Sequence, residues 1–431
     1  MSDESESLWQ IVDKRLDRRE FIQGVAATAA MAAARPALGK AARPKASGDP
    51  STLSFREVPD KVDQKAHVPP GYEMQVLVSW GDPILGDDEP FDPDDLDADS
   101  QLRRFGFNND FIGFVPLPFG SNNAERGLLC VNHEYTVSQM MWPEMTADNA
   151  IERRSRRQTD VEMAAQGHSV VEIARTDGQW EVVRDGEYNR RISLLETEMQ
   201  LTGPAAGHDR LKTSADPTGT KVVGTMANCA GGQTPWGTVL IAEENIDDYF
   251  DGEPEDEQLA RNLEAFGYTG SSLYGFSKHH DRFDVTKEPR EMNRFGWVVE
   301  YDPLDKSWTP RKRTALGRFK HEGATPAMNA DGRMVFYSGD DEAFQHLYKF
   351  VTDREYDPTD REANKRLLDS GTLYVAKFHE DGTMQWLPLV HGEGPLTEQN
   401  GFASQADVLI ETRRAAQLLG ATTLDRPEDV Q

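Results

Sequence analysis

Between residues 74 and 390 the apolar residues come in short runs, most of them alternating with polar residues at every second position. That period places one set of side chains on each face of an extended chain. The runs therefore predict strands over 74–78, 111–116, 127–132, 169–175, 221–224, 237–242, 296–301, 334–338, 346–351, 372–378 and 384–390. Turn formers separate several of them: Pro70-Gly71, Asp177-Gly178, Asp302-Pro303, Asp331-Gly332 and Asp381-Gly382. A helical period is confined to 255–266 and 407–419. Many short strands and few helices predict an all-β chain, built as a sandwich, barrel or propeller. The segments GWVVEYDP (296–303) and HLYKFVTD (346–353) read as outer propeller strands running into turns, but the repeat is too degenerate to give a blade count. No Gly/Ser-rich linker divides residues 50–431.

The N-terminal residues follow a different pattern. Arg18-Arg19, with Phe21 two residues on, precede an eleven-residue run of small and apolar residues from Gly24 to Ala34, which Arg35-Pro36 ends. A charged start, a short apolar stretch and a small-residue exit describe an export signal. The paired arginines describe its twin-arginine form, whose machinery carries proteins already folded. The run is too short to span a bilayer, which takes roughly 20 apolar residues. The expected plan is a twin-arginine signal peptide with its exit segment over 1–46 and a mature domain over 47–431, periplasmic or secreted and without a stable membrane anchor.

Charge then narrows the partners. With 47 basic and 74 acidic side chains the net charge is −27, which excludes a nucleic-acid binding surface or an anionic-membrane surface, since both need basic patches. A 37% hydrophobic fraction, with 35 glycines besides, is that of a chain with a folded core. Two cysteines, Cys130 and Cys229, form neither a disulfide framework nor a zinc-finger spacing. The densest acidic stretch, residues 82–99, lacks the fixed alternation of an EF-hand loop and reads as a solvated loop.

Candidate chemistry concentrates in four motifs. Asn132-His133-Glu134 leaves the end of an apolar strand. Cys229 stands in the glycine-rich NCAGGQTPWGT, fifteen residues before Glu244 of AEEN, so a thiol and a carboxylate are expected at one rim. His321-Glu322 lies in KHEGA, and Arg426 and Glu428 lie in DRPE near the chain end. Cys130 follows two leucines and reads as a small buried hydrophobe. Two readings of Cys229 stay open. A nucleophile needs a histidine partner, for which His133, His168 and His321 are available. A metal ligand needs carboxylates, and Glu134, Glu244, Glu322 and Glu428 are available. A thiolate among hard carboxylates does not suit structural zinc but is compatible with ferric iron.

In their order along the chain, NHEYT, NCAGGQTPWGT, AEEN, KHEGA and DRPE resemble the PhoX-type alkaline phosphatase family. PPGYEMQVLVSWGDPI, FGFNNDFIGF, SGDDEAFQHLYKF and FASQADVLIETRRAAQLLGAT extend the likeness over nearly all of the mature chain. The resemblance implies a six-bladed β-propeller, a monomer, that hydrolyses phosphoric monoesters with a cluster of two ferric irons and several calcium ions joined partly by an oxo group. It implies that Cys229 is the thiolate iron ligand, that Glu322 and Glu428 are carboxylate ligands, and that Glu244 and Glu134 join the cluster. Arg426 is then expected to grip substrate phosphate, with Lys221 as a further candidate, because a guanidinium fits two phosphoryl oxygens. Trp236 is expected in the core.

The chain also departs from the family pattern. Ala242 stands where the family commonly has a second cysteine, and family members continue past DRPE, whereas this sequence stops at Gln431. The propeller is therefore expected to be incomplete at its C-terminus, with Glu428 on a frayed end and activity weak or absent. Two rival readings differ in class: an inactive or partner-dependent propeller fragment that binds metal or phosphate, and a calcium-dependent propeller hydrolase of lactonase or phytase type that needs no cysteine.

Overall fold

The structure, a computed structural model, describes residue 58 and residues 61–63, 65–86 and 90–430. The leader read over residues 1–46 lies outside the described residues. The chain divides after Gln75, and the strands and core discussed below belong to the unit that begins at Val76.

Three antiparallel-rich sheets follow one another along the chain. The first holds β1 (Asn109–Pro116), β2 (Arg126–His133), β3 (Gly167–Thr176), β4 (Gln179–Val182) and β5 (Arg190–Ile192), in the order β1-β2-β3-β4 with β5 also paired to β3. The second holds β6 (Glu198–Thr202), β7 (Lys221–Val223), β8 (Asn228–Gln233), β9 (Val239–Glu243), β10 (Val298–Tyr301) and β11 (Arg311–Arg313) in the order β7-β6-β11-β10-β9-β8, where β11 and β6 run parallel. The third is built from β12 (His321–Met328), β13 (Arg333–Asp340), β15 (Leu347–Glu355), β16 (Gly371–Phe378) and β17 (Met384–Pro388), with the short β14 (Ala343–Gln345) paired separately to β18 (Leu424–Asp425).

β9 and β10 show why the sheets stack. On β9, Val239 and Ile241 enter the core shared with the first sheet, while Leu240 between them enters the core shared with the third. On β10, Val299 and Tyr301 face one way and Val298 the other. Period-2 alternation with apolar residues on both faces is the pattern of a sheet covered on both sides. Trp236 lies in the second of these cores, 1% exposed, and its indole N–H donates to Glu300 Oε1 at 3.0 Å.

Strands stand on every predicted run except 74–78, which is irregular. The all-β expectation needs correction. A ten-residue helix, Arg156–Ala165, opens on a capping box in which Ser155 and Gln158 bond reciprocally. Its Ser-x-x-Gln signature is visible in the sequence. The expected helix over 255–266 is Glu257–Phe266, and 407–419 is two helices, Gln405–Ile410 and Thr412–Leu419. The chain is mostly β with a substantial helical part, and the three larger sheets among the described residues have five, six and five strands.

Candidate metal centre

The edge strands β1, β8 and β12 come one from each sheet, and β8 packs against both of the others. Close approach requires small residues there: a Cβ on Gly232 of β8 would stand 2.2 Å from the carbonyl oxygen of Ala324 on β12, and one on Gly113 of β1 would stand 2.4 Å from the Gln233 side chain. Each of the three strands also breaks its register once. The breaks fall between Asn109 and Ile112, between Asn228 and Gly231, and between Glu322 and Thr325. A bulge re-aims the side chains beside it. These three turn Asp110, Cys229 and Glu322 toward a common point.

Cys229, Glu244 and Glu322 bring one ligand atom each within 4.8 Å of one another, and so do Asp110, Glu134 and Cys229. The thiol is thus shared between two donor groups. Its Sγ lies 3.2 Å from both oxygens of Glu322 and 3.6 Å from Asp110 Oδ2. The carbonyl of Ala227, a non-glycine residue at φ +48°, accepts from the backbone N–H of both Cys229 and Glu244 at 3.0 Å. One strained peptide therefore ties the two ligand-bearing segments together. Glu244 and Glu322 are buried, Cys229 and Glu134 are half-buried, and Asp110 is exposed, so the cluster runs from the interior to an open mouth.

Packing these acids together costs free energy. Burial raises Glu244 to about 9, with Glu322, Glu134 and Asp341 adding like-charge repulsion. Burial also raises Glu322 to about 8, reinforced by Asp429, Asp110 and Asp341, and raises Glu134 to about 7, reinforced by Asp110. The Cys229 thiol is pushed up by burial first and by the surrounding carboxylates next. A protein that forces four carboxylates and a thiol together in this way fits a multivalent cation, which relieves the repulsion.

Four of the five expected ligands, Cys229, Glu134, Glu244 and Glu322, meet in this cluster. Glu428 does not: its side chain is 59% exposed and lies 3.8 Å from Arg426 Nη2. The expectation of a frayed end is also corrected. β18 pairs with β14, Arg426 Nη2 donates to Asp341 Oδ2 at 2.6 Å, and a Cβ on Gly339 would meet the carbonyl of Pro427 at 2.0 Å. It is Asp429 that approaches the cluster, 2.5 Å from where a Cβ on Gly323 would be. Arg426 sits at this rim, close enough to Glu244 to be held protonated more firmly, chiefly by Asp341. Lys221 is not brought to the site. On β7 it pairs with Glu198 at 3.0 Å and lines a separate cleft of about 450 Å³ with Asp216, Arg282 and Arg294.

Sequence reasoning missed Asp110, which stands between Asn109 and Phe111, and Asp341 and Asp429, which stand beside other acids; none of them gives a periodic signal. The nucleophile reading fails on geometry. His321 bonds Ser338 and the Gly317 carbonyl, His168 bonds Asn132 and Tyr301, and His133 bonds Ser169. Carboxylates surround the thiol where an activating imidazole would have to be.

Fold and site define a β-rich protein with a mixed cluster of thiol and carboxylates, able to hold a cation, at the junction of three sheets. The family model described as alkaline phosphatase PhoX matches residues 53–431, and the chain belongs to that family. It is similar to a solved structure, Pseudomonas fluorescens PhoX in complex with vanadate, a transition state analogue, with 41% sequence identity and a TM-score of 0.81 over 87% of this chain. The chain spans 65% of the length of that relative. No curated protein matches it.

Proposed function

We propose that this chain is a phosphoric monoester hydrolase, holding two ferric irons and calcium ions in the cluster of Cys229, Asp110, Glu134, Glu244 and Glu322. One observation carries the reading: a thiol shared by two carboxylate groups at the meeting point of three sheets, in a chain of the PhoX family. The donor chemistry fits, since carboxylates suit hard cations and a single thiolate suits ferric iron. Bound cations would neutralise the phosphoryl oxygens and polarise the ester.

The chain's own residues supply the rest. Arg426 is held at the mouth by Asp341 and presents the remainder of its guanidinium to solvent, its side chain 60% exposed. A planar guanidinium grips two oxygens of a phosphate at once. With a net charge of −27 the protein repels a phosphate dianion at long range, so this local cation orients substrate where the global field does not. Glu428, 3.8 Å from Arg426 Nη2, trims its charge. The six-bladed propeller, the monomeric state and periplasmic residence after twin-arginine export go with this reading. No helix among the described residues is long and apolar enough to cross a membrane.

The test is Cys229→Ser in the purified protein. A serine hydroxyl stays protonated and is a poor ligand in place of a thiolate, so iron content and hydrolysis of a chromogenic phosphate ester at alkaline pH should be lost together. Equal iron stoichiometry in mutant and parent, by elemental analysis, would overturn the reading.

A further inference from the structure

Asn132, next to last on β2, lies opposite His168 of β3 and is fully buried. Its side chain leaves the first sheet and reaches the bulge of β8 in the second. Nδ2 donates to the carbonyl oxygen of Cys229 at 2.6 Å and to that of Ala230 at 3.0 Å. Those are the two residues that the bulge lifts out of register with β9. Carbonyl oxygens only accept, so the amide orientation is fixed, and Oδ1 is left to accept from His168 Nδ1 at 2.7 Å. His168 Nε2 is then an acceptor, and the hydroxyl of Tyr301 donates to it. Tyr301 belongs to β10, so this chain of bonds starts and ends in the second sheet and passes through the first. His168 and Tyr301 are both fully buried.

We infer that Asn132 is a positioning residue for the Cys229 thiol, acting through the backbone of the β8 bulge, with His168 and Tyr301 holding its carboxamide in place. The carbonyl of Cys229 sets the peptide plane that follows the ligand, and the carbonyl of Ala230 sets the next. One carboxamide that binds both fixes the course of the bulge, and with it the direction in which Sγ leaves the strand. No shorter side chain spans two carbonyls, and an aspartate would set its oxygens against them. Groups one bond removed from a metal ligand commonly change metal affinity by roughly 10–100-fold when they are altered.

The inference rests on the metal reading for one measurement and is free of it for another. In metal-free protein, Cys130 is fully buried and Cys229 is not, so alkylation by an uncharged maleimide reports on Cys229. Asn132→Ala should raise that rate several-fold and lower iron affinity by roughly 10–100-fold. Val131→Ala, which removes buried packing from the same strand without touching the bulge, should change neither. If Asn132→Ala does not fold by circular dichroism, Asn132→Ser decides by the same two readouts. A wild-type alkylation rate and iron content in the Asn132 variant would overturn the inference, as would an equal response in Val131→Ala. A parent protein that holds no iron, with alkylation still raised in the Asn132 variant, would defeat the metal reading and leave the positioning role standing.

Discussion

Glu243 and Glu244 leave the end of β9 in opposite directions and meet opposite surroundings. Glu243 is fully buried, 2.6 Å from Lys312 Nζ, and its other oxygen accepts from the backbone N–H groups of Gly296 and Trp297 at 3.0 and 3.2 Å. Burial holds the Lys312 ammonium down to about 8, so its charge depends on that carboxylate. Glu243→Ala is expected to cost about 3–5 kcal/mol in chemical denaturation, because it strands a buried cation. Glu244→Gln should do the reverse: metal content falls while the metal-free protein becomes no less stable, since a neutral amide replaces a buried acid that is costly to ionise. Titration of the same acids gives a pH dependence with a definite sign. Carboxyls raised from 4.5 to about 7, 8 and 9 hold protons that the unfolded chain has already released, so their contribution is full below about pH 4.5 and is lost as pH rises to about 9. Melting of the metal-free protein should therefore fall across that window, and the fall should shrink when iron and calcium are restored.

At the scale of elements, the three bulged strands matter more than any one ligand. Gly232→Ala would place a methyl 2.2 Å from the Ala324 carbonyl and push β8 away from β12. The expected cost is about 1–3 kcal/mol in denaturant unfolding, with a matching loss of bound iron, because the two ligand strands no longer meet at the same spacing. Legibility of the fold follows the same elements. Strands with alternating Val, Ile, Leu and aromatic residues, such as β2, β9 and β15, were readable from their period. β8 (Asn-Cys-Ala-Gly-Gly-Gln) and β12 (His-Glu-Gly-Ala-Thr-Pro-Ala-Met) were not, since neither alternates and both carry residues that usually mark loops. Their strand character comes from pairing and from close approach to another backbone, which no local pattern records. The candidate ligands were legible all the same, as motif residues, and the structure brings Cys229, Glu134, Glu244 and Glu322 near one another. Asp110 and Asp429 were not, because their role exists only where distant segments converge.

Across the whole molecule, the proposed export signal and the folded part make separate predictions. Arg18-Arg19→Lys-Lys should retain the precursor in the cytoplasm, because the paired arginines are what the twin-arginine machinery reads. Cell fractionation that finds the mutant exported as before would defeat the export reading. Within the folded part, both major cores run from one sheet to the next through β9 and β10. Loosening either should therefore be felt in its neighbours.

The convergence of β1, β8 and β12 has a consequence in time. Asp110 and Glu322 are more than two hundred residues apart in the sequence, so no early, locally folded portion of the chain contains the donor set. Contacts of such long range form late, after most of the chain entropy has been surrendered. A cation that binds only the finished arrangement acts as a latch on the last step: at a thousand times its dissociation constant it adds about 4 kcal/mol to the native state alone. Chains that stall before the third sheet docks gain none of this, and the difference sorts completed molecules from unfinished ones.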